Sequence, residues 1–138
     1  MAESNDTQHV NLKGSCLCGA VSYSIDGPVH HIACCHCVQC RKQTGMYYAT
    51  IKTPNETLTV CGEDHLSHYR ASEDATRKFC SRCGSAMFWQ GDGSDLTYVL
   101  AGSVDGDTGL KIKSQIFCEV KGDYYALTQE GALFPNDD

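Results

Sequence analysis

Apolar and polar residues alternate along this chain in short runs, and no segment sustains the 3.6-residue apolar period of a long helix. Val21, Tyr23 and Ile25 alternate with Ser22, Ser24 and Asp26, which predicts a half-buried strand ending at Gly27-Pro28. Tyr47 to Ile51 and Thr57 to Cys61 are rich in β-branched and aromatic residues. With Thr53-Pro54-Asn55 between them, they predict a pair of strands. Gly62-Glu63-Asp64 marks a turn and His65 to Tyr69 another strand. Thr76 to Phe79, Ala86 to Trp89, Leu96 to Leu100 and Gln115 to Val120 continue the pattern, with Tyr124 to Ala126 as a last short strand. Cys37 to Thr44 predicts one or two helical turns ended by Gly45. Residues 1–11 are polar and read as a flexible tail, leaving 12–138 as a single, mainly β domain.

Composition narrows the picture. Thirteen glycines and an aromatic content of 9% imply short strands, many turns and a thin core. The formal charge of −6, with no basic run, argues against a nucleic-acid partner. No stretch approaches the roughly 18 apolar residues of a membrane span, and the first residues carry no apolar signal region. The expected compartment is therefore the reducing cytosol, where clustered cysteines bind metal more often than they form disulfides.

The cysteines then dominate. Of ten, four fall within Cys34-Cys35-His36-Cys37-Val38-Gln39-Cys40, and Cys35-x-Cys37-x-x-Cys40 can place three thiolates around one ion. Cys16-x-Cys18 and Cys80-x-x-Cys83 flank this cluster at a distance. Seven cysteines in such groups divide into four plus three. A four-sulfur zinc site is closed and structural, whereas a three-sulfur site keeps a position for water or substrate. A site joining Cys16 and Cys18 to Cys80 and Cys83 ties the first strand to the middle of the chain, so that zinc binding contributes directly to folding. His30, His31, His36 and Cys34 are the other donors near the second site, and His36 is read as pointing away from the metal. Cys61 and Cys118 sit in apolar strand contexts and read as buried small hydrophobes.

Three motifs in order carry a resemblance. They are Gly14-x-Cys16-x-Cys18-Gly19-x-Val21-x-Tyr23, Cys35-His36-Cys37-x-x-Cys40-Arg41-Lys42-x-Thr44-Gly45 and Phe79-Cys80-x-x-Cys83-Gly84-Ser85. Together they resemble the glutathione-dependent formaldehyde-activating enzyme family, which includes centromere protein V, over roughly Lys13 to Phe134. The resemblance implies a β-tent fold of small antiparallel sheets holding two Zn2+ ions. Cys16, Cys18, Cys80 and Cys83 would form the structural site; Cys35, Cys37 and Cys40 would form the catalytic one. It also implies joining of glutathione to formaldehyde as S-hydroxymethylglutathione, a carbon–sulfur lyase reaction in reverse. Gln115-Ile116-Phe117 stands where relatives often carry His-Ile-Phe/Tyr, so no acid or base residue is assigned.

Zinc held by three thiolates suits a fourth sulfur, because coordination deprotonates a thiol at neutral pH. The expected partners are a small thiol such as glutathione and a small aldehyde, with Arg41 pairing with substrate carboxylates. The competing class is a non-catalytic, zinc-stabilised binding module, which has no need of three thiolates with a coordination position left open.

Overall fold

A computed structural model of the protein describes residues 7–137. It is mainly β, with eleven strands in two sheets and one short helix among the described residues. The smaller sheet has the order β1-β2-β5, made of β1 (Thr7–Ser15), β2 (Ser22–His30) and β5 (Leu58–Cys61), all antiparallel. The larger sheet runs β11-β10-β3-β4-β9-β8-β7-β6. Its members are β3 (Ile32–Cys35), β4 (Tyr48–Pro54), β6 (Leu66–Arg70), β7 (Ala75–Cys80), β8 (Ala86–Gly91), β9 (Leu96–Leu100), β10 (Ile112–Ile116) and β11 (Ala132–Leu133). The pairs of β10 with β3 and with β11 are parallel; the others are antiparallel.

The core lies where the two sheets meet. The alternation in β2 buries Tyr23, Ile25 and Val29 against Ile32, Ile51, Phe88 and Val99 of the larger sheet. Burying side chains of this size contributes about 1.5–3 kcal/mol each. β8 departs from strict alternation, with Met87 and Phe88 both buried. Lys78 pairs with Phe88 but Phe79 pairs with Ala86, so Met87 is the extra residue of a bulge.

Several sequence expectations change. The tail expected over residues 1–11 does not hold for Thr7 to Asn11, which pair with His30 to Asp26 and form the first half of β1; the rest of that expectation, 1–6, lies outside the described residues. Alternation is weak there because β1 buries only Val10 and Gly14. β2 runs through Gly27-Pro28 to His30. Its partner β5 covers only Ser22 to Ile25, so Pro28 sits on an open edge that tolerates a missing N–H. β4 and β5 do not pair with each other; β4 lies between β3 and β9, and β5 joins β2. Tyr124 to Ala126 form no strand, and the last one is β11. Cys61 is exposed, because it ends the edge strand of the smaller sheet.

Helix α1 (Val38–Thr44) forms where the sequence places it. Cys37 is its N-cap, accepting from Cys40 N through Sγ, and Gly45 closes it at φ 92°, returning its N–H to Arg41 O.

Candidate metal centres and the adjoining cavity

The first sulfur cluster is assembled from two loops far apart in sequence. Cys16 and Cys18 lie between β1 and β2; Cys80 ends β7, and Cys83 lies in the turn before β8. Their four sulfurs lie within 4.8 Å of one another, with Cys18 Sγ 3.7 Å from both Cys16 Sγ and Cys80 Sγ. A disulfide needs about 2.05 Å, so these are not bonded pairs. Four sulfurs each about 2.3 Å from a zinc ion sit about 3.8 Å apart, which the spacing fits. Backbone amides support the sulfurs: Val21 N donates to Cys16 Sγ and Arg82 N to Cys80 Sγ, each at 3.3 Å. Ser85 Oγ lies 3.2 Å from Cys83 Sγ and accepts from Leu17 N at 3.0 Å, so it bridges the two loops. The Ser85 hydroxyl and N–H hold the Cys83 thiol down to about 5. Donors of this kind favour the ionised sulfur that a metal ion requires.

The second cluster is local. Cys35 ends β3, Cys37 caps α1 and Cys40 lies in the first turn of α1; their sulfurs are within 4.8 Å of one another. The crowding shows in their protonation. Hydrogen bonds from Cys35 and Cys40 pull the Cys37 thiol down to about 2, and Cys35 is pushed far above the usual range by Cys37 and Cys40. Three sulfurs this close share one negative charge easily and three only beside a cation. Both clusters therefore have the chemistry and spacing of sites able to hold a metal ion.

The donors considered beside the second cluster do not join it. Cys34 faces the core, where burial pushes its thiol up to about 12. His31 Nε2 lies 3.4 Å from Ser114 Oγ. His36 turns the other way and is 1% exposed, with Tyr125 Oη 2.8 Å from Nδ1 and Gln115 Oε1 2.9 Å from Nε2.

All three cysteines of the second cluster border a cavity of about 350 Å³. Tyr48, Trp89 and Tyr98 wall it, Ser114 and Ile116 contribute from β10, and Lys52, Arg77 and Asp137 bring charge. Tyr48 stands directly across the β3–β4 ladder from Cys35. Its hydroxyl is buried and forms no hydrogen bond among the described residues. Burial pushes that phenol up to about 12, against the pull of Arg77.

This arrangement, two sulfur clusters of which one opens on a cavity, accompanies a family match. A family profile described as glutathione-dependent formaldehyde-activating enzyme matches residues 11–120. The chain belongs to the glutathione-dependent formaldehyde-activating enzyme family. It is 37% identical over 106 residues to a Halomonas elongata protein provisionally named for that activity, covering 70% of this chain and 67% of the relative. An uncharacterized lyase of Schizosaccharomyces pombe is 24% identical over 130 residues, covering 91% of this chain and 92% of the relative. A crystal structure of a Rhodobacter sphaeroides protein superposes with a TM-score of 0.57 at 27% identity, over 71% of this chain and 92% of that one.

Within this member of the formaldehyde-activating family, two residues singled out from sequence lie away from the cavity. Gln115 occupies the strand position between Ser114 and Ile116, so its side chain leaves the opposite face of β10. Its Nε2 donates to Thr128 Oγ1 and Glu130 O at 3.0 Å and to Thr128 O at 3.3 Å. Three acceptors around the nitrogen fix the amide, so Oε1 accepts from His36 Nε2, and His36 Nδ1 accepts from Tyr125 Oη. Burial keeps His36 below its usual pKa, with Gln115 opposing this and Lys121 reinforcing it. Arg41, expected beside substrate, is not among the side chains lining the cavity; one residue beyond the inward-facing Cys40, it is turned about 100° around α1. The cations that do line the cavity are Lys52 and Arg77, brought there by β4 and β7. Sequence offered one signal for Arg77: it is in phase with buried Ala75.

Proposed function

We propose that this chain is a zinc-dependent enzyme of carbon–sulfur lyase type acting on a thiol–aldehyde adduct, forming or cleaving S-hydroxymethylglutathione. The observation that carries this reading is the opening of the three-sulfur cluster, and not a closed fourth donor, onto a cavity with two cationic side chains. Cys35, Cys37 and Cys40 would hold the catalytic zinc, and Cys16, Cys18, Cys80 and Cys83 the structural one. Zinc in the three-sulfur site would supply the Lewis acidity that keeps a thiol ionised at neutral pH.

The chain's own residues do the rest. Addition of a thiolate to formaldehyde forms one carbon–sulfur bond, converts the carbonyl to an alkoxide and takes up one proton; cleavage reverses each change. Lys52, which lines the cavity where Arg41 does not, would receive a carboxylate of a glutathione-like substrate. Lys52 Nζ lies 5.7 Å from the Tyr98 ring centroid, so the ring steers its ammonium along the cavity wall. Trp89 packs edge-on against Tyr98 at 5.1 Å and, with Tyr48, gives apolar walls that exclude water from the reacting carbon. Ten free cysteines accord with a reducing cytosolic location, and no helix among the described residues is long and apolar enough to cross a membrane.

The test is exchange spectroscopy of glutathione with labelled formaldehyde. Metal-loaded protein should speed interconversion of free and S-hydroxymethyl forms above the spontaneous rate, and Cys37→Ser should abolish the gain. Tight glutathione binding with no acceleration would instead favour the non-catalytic binding module.

A further inference from the structure

We infer that Arg77 is the counter-ion of the three-sulfur site and sets its preference for an anionic ligand over a neutral one. This rests on the zinc and thiol reading above. Arg77 projects from β7 and is only 5% exposed. Its Nη1 donates to Gln43 Oε1 at 2.7 Å, and its Nη2 to Gln39 Oε1 at 3.3 Å and to Cys40 Sγ at 3.4 Å. The guanidinium carbon lies 4.8 Å from the centroid of Tyr48. Gln39 and Gln43 are four apart in α1 and so share the face beside Cys40, and that face turns toward β7.

A buried cation is costly unless an anion meets it. The ion pairs of the described residues are His9–Asp26 and Arg70–Asp92, both exposed, and neither involves Arg77. Asp137 borders the same cavity but forms no ion pair with it. The two glutamines are neutral dipoles. The anion that answers Arg77 is therefore the sulfur cluster itself, through Cys40.

The charge balance gives Arg77 a selective effect. Three thiolates around a divalent cation leave one net negative charge, and a neutral fourth ligand keeps it at one. A thiolate in that position raises it to two. A fixed positive charge in contact with the cluster favours the second state over the first. For charges roughly 7 Å apart, one sulfur–sulfur spacing beyond the Arg77–Cys40 contact, and an effective permittivity of about 20, the difference corresponds to a change in affinity of about ten- to a hundredfold. Arg77 thus acts through the metal ligands as a positioning residue that biases the site toward thiols.

The experiment uses full-length protein loaded with cobalt, titrated with 2-mercaptoethanol as the anionic probe and imidazole as the neutral one. Visible absorbance reads ligand entry. Arg77→Gln should weaken thiol binding about ten- to a hundredfold and move imidazole binding less than about twofold; Arg77→Lys should restore most of the thiol affinity. Equal weakening for both probes, no change for either, or failure of lysine to rescue would overturn the proposal. Should Arg77→Gln not fold, Arg77→Lys decides alone: a thiol affinity within about threefold of the parent supports the counter-ion role, and a larger loss overturns it. If the parent protein holds cobalt but takes up no thiol, the thiol reading itself fails, whatever the variants do.

Discussion

Gln115 joins segments far apart in sequence through a single amide. Its amide spans from His36, in the turn before α1, to Thr128 and Glu130 of the segment leading to β11. Replacement by leucine keeps the volume but strands a buried histidine N–H and removes a donor from two carbonyls. Gln115→Leu should therefore cost about 3 kcal/mol in urea unfolding of the metal-loaded protein. Thiol binding at the cavity should change little, because Gln115 leaves the far face of β10. Loss of thiol affinity with unchanged stability would contradict this placement. Gly45 gives a sharper residue-scale expectation. Its φ of 92° favours glycine, yet a Cβ there would meet nothing within 4 Å. Gly45→Ala should accordingly cost about 1 kcal/mol by backbone strain alone, with no steric penalty. Circular dichroism melting of the variant measures it.

At the scale of elements, the two sulfur clusters differ in what they hold together. One ties the β1–β2 loop to the β7–β8 turn and so links the two sheets; the other closes only the passage from β3 into α1. Metal binding free energy of a structural site, about 10–16 kcal/mol, is folding free energy. Cys80→Ser should lower the melting temperature by at least about 15 °C, and Cys37→Ser by less than about 5 °C. Equal losses would mean that the local site is as structural as the other. The same contrast explains what the sequence revealed. The gathering of Cys35, Cys37 and Cys40 is legible because their spacing alone brings three sulfurs to one side of a turn, and the burial of Val21, Tyr23 and Ile25 because it follows period two. The partners of β4 and β5, the parallel register of β10 on β3 and the contact of Arg77 with Cys40 join residues tens of positions apart. Nothing local encodes those, and an arginine in a strand otherwise reads as a solvated charge. Arg41, adjacent to Cys40 in sequence, is absent from the cavity lining for the complementary reason: neighbours along a helix point in different directions.

For the molecule as a whole, the seven clustered sulfurs set the expected metal content. Purified protein should carry close to two zinc ions per chain, measured by elemental analysis against protein concentration. A chelator should remove them in two phases, the first without loss of the β-sheet circular dichroism signal and the second with it. A single phase that unfolds the protein at once would show that the two sites are not separable. Metal-free protein with paired cysteines would remove the basis of the enzymatic reading.

One strand reaches both centres. β7 ends in Cys80, and three residues earlier it carries Arg77 against Cys40. If the far cluster stays loaded, β7 should keep its place, with Arg77, Gln39 and Gln43 still gathered around a three-sulfur site that has lost its ion. In a cell short of zinc, such chains would persist as a folded, idle reserve rather than as material for proteolysis. Restoring the metal would return them to service in the time an ion takes to bind, with no new synthesis and no refolding.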